Sequence, residues 1–91
     1  MSFSLCDTQG VHISQIASVG GMNDLLDFVG RFPKWGPLSN FLNLGETSDV
    51  PGVVNEIKQL VPYATDPGVK ETLLELGVSL EKMKGTAIIS E

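Results

Sequence analysis

The chain predicts a mainly α domain, with α+β as the variant: four short helices, the last two forming a C-terminal αα-hairpin, and short β-strands at the two termini. Three observations carry this reading. Residues 49–85, DVPGVVNEIKQLVPYATDPGVKETLLELGVSLEKMKG, hold two amphipathic stretches, each opened by an Asp and a Pro. Residues 22–32 and 37–44 place their apolar side chains at helical spacing between proline and glycine punctuation. The two ends carry apolar residues two apart, or in a short run beside turn residues, which is strand chemistry.

Taken in order, Phe3 and Leu5, then Val11 and Ile13, are spaced by two. SFSLC and GVHIS therefore read as strands around a turn containing Asp7 and Gly10. Residues 14–21, SQIASVGG, stay open between a strand and a single helical turn that Ser14 caps, with the pair Gly20–Gly21 as the break. Met22, Leu25, Leu26, Val29 and Phe32 line one face of a helix over 22–32. Asn23 and Asp24 sit at its amide-rich end, Arg31 sits late, and Phe28 lies off the stripe as a second contact. Pro33 ends it, because the residue before a proline resists helical geometry. The turn Pro33-Lys34-Trp35-Gly36-Pro37 has a tryptophan at its tip. Pro37 then starts a helix with Leu38, Phe41, Leu42 and Leu44 on its apolar side and Gly45 as its stop. Residues 46–49, ETSD, read as a polar linker.

In the hairpin, Val50, Val53, Val54, Ile57, Leu60 and Val61 form the first stripe. Ser48 or Asp49 caps it, Pro51 stands in its first turn and Pro62 stops it. The second helix is capped by Asp66 with Pro67 at its first position, and Lys82 and Lys84 precede Gly85. Val69, Leu73, Leu76, Leu80 and Met83 make two heptads of seam, and Leu74 and Val78 fall beside it. A connection of a few residues around 62–65 makes the helices antiparallel neighbours. The tail TAIISE reads as a final strand. Pro-Gly-Val recurs at 51–53 and 67–69, which resembles the proline-started helices of HEAT-type repeats, but two helices fall short of the three repeats a solenoid needs.

Composition bounds the function. Ninety-one residues make one domain, residues 1–91, with a small core. An apolar content of 42% is high for that size and implies an interface with a partner or a second copy. Net charge is −5, and no Lys or Arg precedes Arg31, which disfavours direct binding to nucleic acid or an anionic membrane. One cysteine, Cys6, excludes an internal disulfide and a cysteine zinc site, and fits a reducing compartment. No apolar run approaches the roughly 18 residues of a membrane span. The N-terminus lacks a basic start and a long apolar run, so no signal peptide is expected and the expected location is cytoplasmic.

Chemistry-bearing residues are sparse. Cys6 and His12 become neighbours across the N-terminal hairpin, where they resemble a Cys–His nucleophile pair, the basis of an alternative function as a small catalytic or ligand-binding domain at a subunit interface. Ser79-Leu80-Glu81-Lys82 matches the S-x-x-K of penicillin-recognising enzymes, but S-D-N and K-T-G are absent and Leu80 belongs to the seam. Gly20–Gly21, preceded by Ile13, Ile16 and Val19, resembles the double-glycine leader of bacteriocin precursors, although no acid lies between Ser14 and Val19; this implies a second alternative, a secreted precursor cut after Gly21. Asp24 with Asp27, and Glu71 with Glu75, share helix faces and read as solvated carboxylates. No cofactor, metal or catalytic motif emerges.

The expected function is therefore that of a small acidic, non-enzymatic protein-interaction domain. It acts as a regulator or inhibitor of bacterial or phage origin, by binding a larger protein or by self-association. The expected partner-binding residues are Trp35, Phe28, Leu74, Val78, Glu71 and Glu75, with Trp35 equally suited to plugging the core.

Overall fold

A computed structural model describes residues 2–31, 36–83 and 85–90. The elements are β1 (Ser2–Cys6), β2 (His12–Ser18), α1 (Val19–Gly30), α2 (Pro37–Leu44), β3 (Glu46–Thr47), α3 (Val50–Leu60), a 3-10 turn at Val61–Tyr63, α4 (Pro67–Glu81) and β4 (Ala87–Ser90). The strands form one antiparallel sheet in the order β2-β1-β4-β3.

This corrects the mainly α expectation. The domain is α+β, and its sheet takes a strand from mid-chain as well as from the ends. Two physical causes hid it. The register of β2 against β1 slips between Phe3 and Ser4 and again between Leu5 and Cys6. Ile16 and Ile13 are thus left without opposed residues, and these bulges break the period of two that identifies a strand. The second cause is β3. It has two residues, Glu46 and Thr47, opposed to Ile88 and Ala87 of β4, so the segment expected to be a linker becomes a strand through tertiary pairing alone.

The sheet joins the helices through one face. Leu5, Ile16 and Ala87 are buried in the common core, and Phe3, Ala17 and Ile89 pack against it. The pleat turns the alternate residues Ser4, Cys6, Ile88 and Ser90 to the opposite face. Among the described residues, the largest fully buried side chains are Phe41, Leu5, Leu25, Leu38, Leu73, Leu80 and Val53.

Residues 14–21 resolve as strand followed by helix. The Ser18 hydroxyl accepts a hydrogen bond from Gly21 N–H at 3.2 Å and caps α1. The glycines expected to interrupt the chain therefore lie in the first turn of α1. Asn23 and Asp24 fall inside the helix instead of at its end. Met22, Leu25, Phe28 and Val29 form its buried side. Phe32, Pro33, Lys34 and Trp35 lie outside the described residues, and so does Lys84.

The helix α2 has the expected bounds. It stops at Gly45, whose φ of 81° puts it in the left-handed region and whose N–H donates to Phe41 O at 2.9 Å. Its start has no side-chain cap of its own, because Gly36 stands at the cap position. Glu56 of α3 supplies the acceptor instead: its Oε2 takes the Leu38 N–H at 2.6 Å. A Cβ at Gly36 would collide with that carboxylate. Glu56→Ala is expected to destabilise the fold by about 1–2 kcal/mol, the range for losing a charge-assisted helix cap, with Glu56→Gln intermediate. Urea denaturation of the two variants checks this.

Asp49 caps α3 through Gly52 N–H at 3.1 Å, and Asp66 caps α4 through Gly68 N–H at 2.8 Å. Pro62 converts the chain after Leu60 into the 3-10 turn, which returns α4 alongside α3.

Candidate functional site

Helix α4 has two apolar sides. Val69, Leu73, Leu76 and Leu80 are buried together with Gly77. Leu74 and Val78, one turn apart, remain 47% and 53% exposed. A helix that already buries a continuous stripe gains nothing structural from a second pair of large apolar residues held in water. Glu71 and Glu75 are exposed on the same helix, within a turn of Leu74.

Leu74 and Val78 line a groove of about 230 Å³ along the junction of α3 and α4, facing Val54, Ile57 and Val61. Gly77 faces Ile57 at this point: a Cβ there would lie 3.4 Å from Ile57 Cγ2. A second groove, of about 480 Å³, continues along the same junction past Val50, Pro51, Val54, Leu80 and Met83. Lys58 and Glu81 line both. Their ion pair, Nζ to Oε1 at 3.0 Å, crosses the junction between them with side chains 68% and 49% exposed. A pair so open contributes little to stability. The two grooves together follow α3, whose 11 residues span about 16 Å.

Gly77→Ala separates the fold from the groove. The added methyl makes an ordinary contact with Ile57, and alanine is the better helix former by up to about 1 kcal/mol. The variant is expected to melt several degrees higher while its shallower groove binds an occupant more weakly. A thermal melt paired with a binding titration reads both effects.

The expected partner-binding residues thus separate. Leu74, Val78, Glu71 and Glu75 are brought together on one exposed helix face. Phe28 is 8% exposed and packs in the core, because α1 turns it inward beside Leu25 and Val29; it leaves almost no surface for a partner. Trp35 lies outside the described residues. The residues missed from sequence are Val54, Val61 and Gly77. The first two read as core stripe, and the role of Gly77 depends on the helix crossing, which has no sequence signal.

Cys6 and His12 are directly opposed on β1 and β2. They share the face turned away from the helices, in a cross-strand row that continues through Ile88 to Glu46. At the usual strand spacing, Glu46 stands about 10 Å beyond Cys6 and about 14 Å from His12. The row therefore supplies a thiol and an imidazole, while its carboxylate lies too far off to orient the histidine. Among the described residues, no group of three or more His, Cys, Asp or Glu side chains stands close enough to hold a metal ion. Cleavage after Gly21, as a double-glycine leader would require, removes β1, β2, and the buried Leu5 and Ile16 from the core.

Comparison with protein families, with curated proteins and with solved structures finds no match. Among the described residues, no helix is long and apolar enough to cross a membrane.

Proposed function

We propose that this protein is a small non-enzymatic interaction domain that holds an amphipathic helix of a larger protein in its α3–α4 groove. It regulates or inhibits that protein by occluding the bound segment. The observation that carries the reading is the exposed pair Leu74 and Val78, flanking a mainly apolar groove on a helix whose structural stripe is already satisfied. Apolar residues repeating at i, i+3, i+4 and i+7 on the incoming helix suit such a groove.

Charge selects the occupant. The chain carries a net −5; Glu81 lines the groove together with Lys58, and Glu71 and Glu75 are exposed on α4 within a turn of Leu74. An incoming helix with Lys or Arg flanking its apolar stripe gains attraction on approach and a partner at Glu81, whereas an acidic one is repelled. The test is a selection of binders from a library of random helical peptides. Basic amphipathic sequences are the expected winners, and their affinity should fall as salt is raised. Acidic winners, or winners without an apolar stripe, overturn the reading.

A further inference from the structure

We propose that the free edge of β2 pairs with β2 of a second copy of this chain, joining two sheets into one across a two-fold axis. Among the described residues β2 has a single strand neighbour, β1, so along its other side alternate peptide N–H and C=O groups point out of the sheet. Seven residues span about 23 Å of such edge. The opposite edge differs: β3 has two residues, one of them Glu46, and is followed at once by the Asp49 cap of α3.

Apart from its two bulges, the edge of β2 has none of the charges or prolines that keep sheets apart. From Thr8 to Asn23 the chain contains no Asp, Glu, Lys, Arg or Pro, in a protein with eleven acids and six bases. Val11, Ile13 and Val19 in this stretch are 51%, 37% and 42% exposed. Two chains that each carry −5 repel over most of their surfaces. The strand itself is uncharged, so a copy can approach along it with Glu75, which shares a groove with Ser14 and Gln15, as the acid at its border, and the strand offers nothing ionic to a basic partner. That charge pattern selects a second copy as the occupant. The bulges at Ile13 and Ile16 leave Ser14 and Gln15 in regular register with Leu5 and Ser4 between them, so the two-fold axis passes beside Ser14–Gln15.

Sedimentation of the whole chain from micromolar to near-millimolar concentration is the test. The expected result is a concentration-dependent rise to twice the 9.8 kDa chain mass. Lysine is a common protector of natural edge strands, and the double variant Val11→Lys, Ile13→Lys is expected to weaken dimerisation at least about tenfold. Leu44→Lys, at an exposed site outside this stretch, is expected to leave dimerisation unchanged. In parallel, hydrogen exchange of the β2 amides in the unmodified protein is expected to slow as concentration rises, which keeps the test decisive if the lysine variant fails to fold. A monomer throughout, a lysine variant that dimerises normally, or β2 amides indifferent to concentration overturns the proposal. Peptide binding in the α3–α4 groove is read separately, so each claim can fail without the other.

Discussion

Leu5→Ala is expected to destabilise the domain by about 3–5 kcal/mol, the cost of removing a fully buried leucine from a core that collapses only partly around the gap. A domain of this size is stable by roughly 5–15 kcal/mol in total. At about 4–8 °C per kcal/mol, the lower figure already lowers the melting temperature by about 12–24 °C. Leu5 is completely buried and lies on β1, between β2 and β4, opposite Ser14 on one side and Ile89 on the other. It ties the sheet to the helices. Cys6→Ser, one residue along and on the opposite face, is expected to change stability by less than about 1 kcal/mol, because it removes no core contact. Urea denaturation of the two variants tests the pair. A small effect at Leu5 would mean that the sheet is an ornament on a helical bundle.

The double variant Leu74→Ser, Val78→Ser is expected to behave in the opposite way. Both side chains are about half exposed, so their loss should move stability by no more than about 1 kcal/mol. Its effect falls on binding. Two apolar anchors at the centre of an interface carry about 2 kcal/mol or more each, which together amounts to at least about 700-fold weaker binding of a basic amphipathic helix. Calorimetry with the unmodified protein and the variant reads that loss directly, and a thermal melt shows that the fold is intact.

The helices were largely legible because their ends are written locally. Pro37 and Gly45 bracket α2, and Asp66 with Pro67 starts α4. The sheet was not, for reasons that are tertiary. Ile13 and Ile16 sit at bulges and break the alternation that marks a strand, and Glu46–Thr47 is a strand only because β4 lies beside it. Gly20–Gly21 looked like a break, yet Ser18 caps the helix that contains them. For the site, Leu74 and Val78 stood out in the sequence as apolar residues beside the seam. The groove itself did not, since its walls come together only where α3 and α4 pack, with Gly77 opposite Ile57. Phe28 shows the converse limit. An aromatic off the main stripe of a helix is free for a partner only if no second layer covers it, and here the core does.

The Leu74–Val78 side of the α3–α4 groove is the proposed binding surface. The most direct measurement is residue-by-residue amide NMR during titration with the best basic amphipathic peptide from the selection. Shifts are expected at Val54, Val61, Leu74, Gly77 and Val78, with no response in the Leu74→Ser, Val78→Ser protein. Shifts centred on Cys6, His12 and Ile88, or an unchanged response in the double variant, would contradict it.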